Sequence, residues 1–279
     1  MAPVAHVEEW IDDCATIAEI EAALVDLRYR HAHGGGPDLR TSVLTHLAWV
    51  PPEWQEAAAD TLAGLGERHP SRTLLLFPQD DGENALAARV HLECYELPGL
   101  ERHLCSEVVE LRLRGARADA PASIAAPLLL PDLPVFLRWR GRPGFDSPVF
   151  GQLVDMVDRL VVDSAEWPDV PSAFAELVEQ FDRVAVSDIA WRRTLPWRRA
   201  LAGAWPELPD RLTGPEAETA LVAGWLESRA GVRVELERAA TLPVGGDRKP
   251  SDLLSDELDV FVRDPVYEAA TAAASERPW

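Results

Sequence analysis

The sequence predicts an α/β protein: a mixed sheet built from βαβ units with an antiparallel meander, plus a smaller α+β C-terminal domain. Three observations predict this fold. Short β-branched and aliphatic runs alternate with stretches whose apolar residues recur every three or four positions, as strands joined by helices do. The segments 86–95 and 106–114 alternate apolar and charged residues, which is typical of half-buried antiparallel strands. The C-terminal part has mainly helical periodicity, with one alternating segment at 232–240.

The N-terminal segment is predicted to be an amphipathic helix at 7–32, because its apolar residues fall on one helical face. His33-Gly34-Gly35-Gly36 resembles an esterase oxyanion loop, but no Gly-x-Ser-x-Gly elbow follows it. We therefore interpret this stretch as a helix end and linker. The predicted parts are residues 1–37 as N-terminal helix and Gly-rich linker, 38–168 as an α/β domain and 169–279 as an α+β domain.

The α/β domain begins with a predicted strand-helix-strand unit. A strand at 40–50 ends at two prolines, a helix follows at 53–68, and a second strand lies at 73–77. Such a unit favours parallel pairing with a right-handed crossover. The two alternating segments then form a meander attached to this unit.

The stretch 125–143 is the centre of the predicted domain. Pro131-Asp132-Leu133-Pro134 is expected to form a stiff turn, because each proline fixes its own φ and restricts the residue before it. A short strand follows and carries Arg138, Trp139 and Arg140 at its C-terminal end. In open α/β sheets ligands or partners sit at that end. The alternative is a core strand with solvated arginines.

A second group of Arg and Trp residues follows in the C-terminal part: Trp191, Arg192, Trp197 and Arg198. Arg and Trp dominate the energetics of protein interfaces, so both groups are candidate partner-binding residues. The alternative is a tryptophan-rich edge of the core with its arginines extended to solvent.

The remaining C-terminal elements are mainly predicted helices, at 172–181, 215–229 and 251–262, with a last one from Asp264. In the helix at 251–262, Leu254, Leu258 and Phe261 are expected to share the buried face.

Charge and composition exclude several classes of function. The chain has 279 residues, 47 acidic against 27 basic side chains and a formal net charge of -20. A surface this acidic repels phosphate backbones and anionic membranes, so we expect no nucleic-acid or membrane partner. The N-terminus lacks the features of a secretion signal and no apolar run is long enough to span a bilayer. These features predict a cytoplasmic protein.

The three cysteines, Cys14, Cys94 and Cys105, show no metal-binding spacing, and their low, odd number fits a reducing compartment. Cys94 and Cys105 flank one loop. We interpret them as small buried apolar residues on adjoining strands, with a redox pair as the alternative.

Short motifs with a known catalytic mechanism do not occur in the sequence. There is no GxGxxG after a strand, no Walker loop, no HExxH and no CxxC. The pattern predicts no cofactor, no metal and no catalytic residue, and favours a protein without chemistry of its own. The alternative is a small sugar-phosphate-binding enzyme or sensor, with the strand-end arginines Arg72, Arg138 and Arg140 as phosphate ligands and Ser71 or Ser164 assisting.

Six sequence blocks and the C-terminal ending resemble the glucose-6-phosphate dehydrogenase assembly protein family, OpcA. The blocks are HPSRTLLL, SEVVEL, PLLLPDLPVFLRWRG, RLVVDSAEW, DIAWRRTLPWR and GWLESR, and the ending is DLLSDELDVFVRDPVYEAA. The resemblance runs from about Arg40 to Ala270. The segment 242–251 is shorter than the strand-rich region that the family has there.

The resemblance implies a non-enzymatic protein that binds glucose-6-phosphate dehydrogenase, the entry enzyme of the oxidative pentose phosphate pathway, and promotes its active oligomer. The expected anchors are the two Arg/Trp groups, from Arg138 to Arg140 and from Trp191 to Arg198.

Overall fold

The computed structural model describes residues 8–34, 42–62, 65–79, 83–96, 103–245 and 248–277. The chain forms two compact units. The first comprises residues 1–140 and 146–158, and the second comprises 141–145 and 159–279. The Gly-rich stretch from residue 35 to the predicted end of the linker at 37 lies outside the described residues.

The first unit is built on a mixed sheet. Its strands are β1 (Glu9–Asp12), β2 (Leu44–Trp49), β3 (Ser71–Gln79), β4 (Leu86–Glu96), β5 (His103–Arg114) and β6 (Val135–Trp139). They lie side by side in the order β1-β4-β5-β3-β2-β6. β2 pairs in parallel with β3 and with β6, β3 pairs in parallel with β5, and β4 is antiparallel to both β1 and β5. The predicted βαβ unit and meander are confirmed.

The helices of this unit are short apart from the first. They are α1 (Ile17–Gly34), α2 (Gln55–Leu62), α3 (Leu65–Arg68), α4 (Ala116–Asp119), α5 (Pro121–Ala125) and α6 (Pro148–Val154). α1 packs on β4 and buries Ile20, Leu24 and Leu27.

The prediction of one helix from Val7 is wrong at its N-terminal end. Residues 9–12 form strand β1, which pairs with β4, and the helix begins only at Ile17. The reason is a reciprocal cap: the Thr16 amide donates to the Glu19 carboxylate, and the Glu19 amide donates to the Thr16 hydroxyl. This capping box satisfies two amides that the first helical turn leaves unpaired.

The turn before β6 contains the two residues between Pro131 and Pro134. Asp132 adopts a left-handed backbone with φ of 63°, a conformation that aspartate tolerates because its short side chain hydrogen-bonds locally. The strand that follows is buried along its whole length.

β4 and β5 are joined by a disulfide. Cys94 and Cys105 are direct partners in the antiparallel register, and their Cα atoms lie 4.1 Å apart. The interpretation of the two cysteines as separate apolar residues is therefore wrong, since their position on opposed strands brings the sulfur atoms together.

The second unit combines helices with two pairs of short strands. Its helices are α7 (Val170–Val178), α8 (Ile189–Arg193), α9 (Leu195–Gly203), α10 (Glu216–Ala230), α11 (Pro250–Leu258) and α12 (Pro265–Ser275). Its strands are β7 (Arg159–Val162), β8 (Ala185–Asp188), β9 (Arg211–Gly214) and β10 (Glu235–Arg238). β7 pairs in parallel with β8, and β9 pairs in parallel with β10. Together with the first unit, this confirms the predicted mixed α/β class.

α12 lies against α7 and α10, and its backbone at Ala270 packs on Gly224 of α10. The prediction that α11 reaches Val262 is wrong: the helix ends at Leu258, and Phe261 is 64% exposed instead of lying on a buried face. Among the described helices, none combines the length and the apolar character that crossing a membrane requires.

Candidate functional site

The first Arg/Trp group lies inside the first unit. Arg138, Trp139 and Arg140 are 2%, 5% and 7% exposed. The Trp139 ring stacks on Trp49 with centroids 5.3 Å apart and meets Phe150 edge-on at the same distance. Such aromatic packing stabilises a core.

The two arginines of this group form hydrogen bonds inside the first unit. Arg138 donates to the Trp139 carbonyl, and Arg140 donates to the Ala57 carbonyl and the Thr61 hydroxyl. Burial and the charges of Arg138, His69 and Arg140 lower the pKa of His46 to about 3, so His46 is neutral at physiological pH. The group offers little surface for a partner. Its strand is a core strand, as the alternative expected, but the arginines are buried and not solvated.

The phosphate-binding alternative depends on Arg72, which the structure pairs internally. The Arg72 guanidinium donates to Glu107 at 2.6 Å and to the Leu128 carbonyl at 2.8 Å, and both side chains of the ion pair are buried. Ser71 is buried too, with its hydroxyl 3.3 Å from that of Thr73. An arginine neutralised in this way is not available to a phosphate.

The sheet register also separates the predicted phosphate ligands. Arg72 and Val135 both pair with Thr45, so Arg138 lies three residues further along, a shift of about 10 Å. The remaining candidate, Ser164, belongs to the second unit, where its amide and hydroxyl donate to Asp188 at 3.0 and 2.7 Å.

Two residues of the second Arg/Trp group, Trp191 and Arg198, are in direct contact. The Arg198 guanidinium lies over the Trp191 ring, with Cζ 3.4 Å from the ring centroid. Arg198 also donates to the Thr194 hydroxyl at 3.0 Å and to the Trp191 carbonyl at 3.3 Å. Burial lowers the pKa of Arg198 to about 10, so the guanidinium stays charged at neutral pH while it is held against the indole face.

Acidic residues hold the rest of this group. The Trp191 indole N–H donates to Asp264 at 3.0 Å, and Arg192 forms a 2.5 Å ion pair with Glu257 of α11. Asp264 also caps α12, since its other carboxylate oxygen accepts from the amides of Val266 and Tyr267. One aspartate therefore fixes both the start of α12 and the position of the Trp191 ring.

Trp197 lies apart from these contacts. It is buried in a separate apolar cluster with Leu201, Leu212 and Leu226, between α9, β9 and α10. Like Trp139, it is buried in an apolar cluster and offers little surface to a partner.

Asp188, at the end of β8, is a buried carboxylic acid three residues before Trp191. It accepts the Ala190 amide at 2.9 Å in addition to the two donors from Ser164, and the Tyr267 hydroxyl lies 3.4 Å away. Burial and the nearby charge of Asp163 raise its pKa to about 7, although the Ser164 and Ala190 donors act in the opposite direction.

A small cavity of about 180 Å³ opens among these side chains. Its polar lining includes Asp188, Arg192, Arg198, Glu257 and Asp264. The lining combines two guanidinium groups with three carboxylates, and the carboxylates are already engaged by the contacts above. Among the described residues, the cavity lining carries no recognisable nucleophile-base pair.

An exposed apolar pair borders this cavity. Val260 lines it, and the next two residues, Phe261 and Val262, are 64% and 74% exposed. The loop is held in place from below, because the buried Arg159 donates to the Val262 carbonyl at 2.6 Å. We call residues 260–263, together with Arg192 and Arg198, the 260s surface.

The sequence analysis named Trp191, Arg192 and Arg198 as candidate site residues. It did not name Asp188, Arg159 or the exposed 260–263 loop, which belong to the same part of the second unit. The signal for Asp188 was its position directly before the Ile-Ala-Trp-Arg-Arg run, as the N-cap of α8. The signal for Asp264 was the Asp-Pro pair that begins α12.

Comparison with known proteins finds one matching family and several relatives. Residues 63–179 match the family described as glucose-6-phosphate dehydrogenase subunit N-terminal domain. The chain is 27% identical over 182 residues to the OxPP cycle protein OpcA of Synechococcus elongatus, and the alignment covers 60% of the chain and 41% of the relative. A second OpcA, from Synechocystis sp., is 24% identical over 220 residues, covering 72% of the chain and 45% of the relative.

A third relative, the OpcA of Nostoc punctiforme, is 27% identical over 177 residues, or 58% of the chain and 38% of the relative. The matched region thus spans about two fifths of the length of these relatives. The family match and the three relatives agree with the resemblance carried by the PDLPVFLRW block: the chain is similar to the glucose-6-phosphate dehydrogenase subunit N-terminal domain family and to the OpcA proteins.

Proposed function

We propose that this protein is a non-catalytic cytoplasmic assembly factor that binds glucose-6-phosphate dehydrogenase and promotes its active oligomer in the oxidative pentose phosphate pathway. The family description suggests the partner, and the names of the relatives suggest the pathway. The sugar-phosphate alternative has no comparable support, because its central arginine is paired with Glu107.

The observation that carries the proposal is the 260s surface. Arg192, Arg198 and Val260 line one cavity, and the two residues that follow Val260 in the chain, Phe261 and Val262, are exposed, so an exposed apolar pair adjoins a cavity lined by two guanidinium groups. Aromatic and arginine side chains at the centre of an interface account for most of its binding energy. The Arg159 hydrogen bond orders the loop before binding, which reduces the entropy lost on association.

An assembly factor acts by binding the active oligomer of its partner more tightly than the inactive form. A difference of about 1.4 kcal/mol in binding free energy shifts that equilibrium tenfold. No chemistry of its own is required for such an effect, only a surface that distinguishes the two forms.

The test combines a binding measurement with an activity assay. The dehydrogenase is titrated with the purified chain, the oligomer distribution is followed by native mass spectrometry, and NADPH formation is measured in parallel. We expect Phe261→Ala to weaken binding about tenfold, as loss of an interface hot spot does, and to reduce activation in proportion.

Tyr29→Ala is the matched control, since Tyr29 is 62% exposed and lies on α1 of the first unit. It should leave binding and activation unchanged. Equal affinity of wild type and Phe261→Ala would remove the 260s surface from the proposal. A wild-type chain that neither binds the dehydrogenase nor shifts its oligomers would contradict the proposed function itself.

A further inference from the structure

A side-chain cluster in the first unit lies outside everything described for the 260s surface. His31 near the end of α1 and the two cysteines of β4 and β5 bring three possible metal ligands within 4.8 Å of one another. The His31 Nε2 atom lies 3.4 Å from the sulfur of Cys94 and 3.4 Å from that of Cys105. Cys94 is buried, whereas His31 and Cys105 are half-buried, so the cluster lies at the margin of the core.

The placement of the histidine is what requires an explanation. A disulfide is uncharged, and its sulfur atoms need no polar partner. The imidazole nitrogen is nevertheless equidistant from both sulfurs, which is how a ring nitrogen lies when all three atoms share one cation. Around tetrahedral zinc, with bonds of ~2.3 Å to sulfur and ~2.05 Å to nitrogen, neighbouring N and S ligands are about 3.6 Å apart. Both observed distances are close to that value.

We infer that the reduced form of this protein binds one zinc ion through Cys94, Cys105 and His31. The fourth position would be taken by water, as in sites with three protein ligands. Thiolate and imidazole ligands select zinc over the hard cations magnesium and calcium. Two thiolates and a neutral imidazole also balance the charge of Zn²⁺, which a half-buried position demands.

The site forms in two steps: reduction of the disulfide and then binding of zinc. A dithiol gives two electrons and two protons to the Cys94–Cys105 bond, which becomes two thiols, while the dithiol becomes a disulfide. Zinc then displaces the two thiol protons. The sulfur atoms have to separate to about 3.8 Å, the S–S edge of the same tetrahedron. The register of β4 and β5 can stay unchanged, because the two residues are already opposed.

The test uses Co²⁺ as a spectroscopic probe for zinc, with the full chain reduced anaerobically by a phosphine, because thiol reductants compete for the metal. The phosphine becomes a phosphine oxide that takes its oxygen from water. The reduced wild type is expected to bind one Co²⁺ with a thiolate-to-cobalt charge-transfer band and tetrahedral d–d bands, and zinc should displace it. The oxidised chain should show neither band.

Single substitutions test which residues bind the metal ion. Cys14→Ser is the matched control, since Cys14 is the exposed free cysteine of the described residues, and it should behave as wild type. Cys94→Ser should lose about half of the charge-transfer intensity. His31→Ala, at a half-buried position that tolerates truncation, should weaken Co²⁺ binding at least about tenfold. Circular dichroism verifies that each variant is folded.

Absence of the charge-transfer band in the reduced wild type would overturn the inference. So would a band that survives unchanged in folded His31→Ala, or one that disappears in Cys14→Ser. These outcomes are independent of whether the chain binds the dehydrogenase.

Discussion

Arg72 and Glu107 form a buried ion pair that holds β3 and β5 together at one end of the sheet. Removal of one partner leaves a charge inside the protein, which costs several kcal/mol. We expect Arg72→Met to lower the free energy of unfolding by about 3 kcal/mol, the low end of the range for buried pairs. We expect a loss at the low end of this range because Arg28 still lies 3.0 Å from Glu107 and neutralises part of its charge. Urea denaturation measures the change.

Arg211→Met is the control for this prediction. Arg211 pairs with Glu235 at 2.7 Å, but both side chains are more than half exposed, so water replaces the contact. Its unfolding midpoint should stay at the wild-type value. If both variants shift alike, the destabilisation comes from loss of an arginine and not from burial of its partner.

Asp188 leads to a pH-dependent prediction. Its folded pKa is raised from 3.8 to about 7, so between these values the folded protein keeps a proton that the unfolded chain releases. The contribution of this group to the free energy of unfolding therefore falls as pH rises from about 4 to about 7 and is constant above. Asp188→Asn keeps the shape and removes the titration. Relative to wild type, its melting temperature should rise with pH across this window.

Thermal unfolding followed by circular dichroism at intervals of one pH unit provides the measurement. Asp182→Asn, at an exposed position of the same unit, controls for the loss of one acidic side chain. Melting curves of Asp188→Asn that run parallel to wild type at every pH would show that Asp188 titrates at its ordinary pKa.

At this scale the sequence identified the right residue types but not their burial. Trp139, Trp191 and Trp197 look alike in the sequence, as tryptophans with arginine neighbours. Trp139 stacks in a core, Trp197 fills another, and Trp191 supports Arg198 beside a cavity. What distinguishes them is the set of residues brought by distant elements, such as Asp264, which a local pattern does not contain.

The packing of α10 on α12 depends on one glycine. A Cβ atom at Gly224 would clash with the Ala270 carbonyl oxygen, which is backbone and cannot move aside cheaply. We expect Gly224→Ala to lower the free energy of unfolding by roughly 1–3 kcal/mol, the usual cost of overpacking, although alanine is the better helix former. Urea denaturation tests this.

Gly203→Ala at the end of α9 is the matched substitution. Nothing lies within 4 Å of its added Cβ, so only the backbone entropy changes, and stability should stay the same or rise by up to about 1 kcal/mol. A Gly224→Ala protein as stable as Gly203→Ala would mean that α12 can move away from α10 without loss of packing.

Elements with strong periodicity were predictable, and short ones were not. β2, α2 and β3 follow from apolar runs and from the prolines between them. β1 and β9 have only four residues each, too few for alternation to stand out, and pairing with neighbours defines them. The end of α11 was missed because Phe261 continues the helical spacing, while Arg159 binds the Val262 carbonyl instead.

The fold class of the whole molecule was predictable because it depends on the alternation of strands and helices along the chain. The candidate site was only partly predictable. Asp188, Arg198 and Asp264 come from three elements separated by long stretches of sequence, and only the folded second unit brings them to one cavity. The resemblance to OpcA includes the sequence blocks that contain these residues, because sequence similarity depends on residue identity and not on spatial arrangement.

The net charge of -20 acts on the molecule as a whole. Like charges repel more in the folded state than in the expanded unfolded chain, so the charge lowers stability. Salt shortens the Debye length from ~30 Å at ~0.01 M to ~8 Å at ~0.15 M and screens this repulsion. We therefore expect the melting temperature at pH 8 to rise over this range of sodium chloride. Exposed ion pairs such as Arg211–Glu235 weaken at the same time but contribute little.

The control is the same titration close to the isoelectric point of about 4.7, where net repulsion vanishes and the rise should disappear. A melting temperature that falls with salt at pH 8 would contradict the prediction. It would mean that the ion pairs, among them Arg193 with Asp163 at 2.8 Å, stabilise the fold by more than the excess of acidic side chains destabilises it.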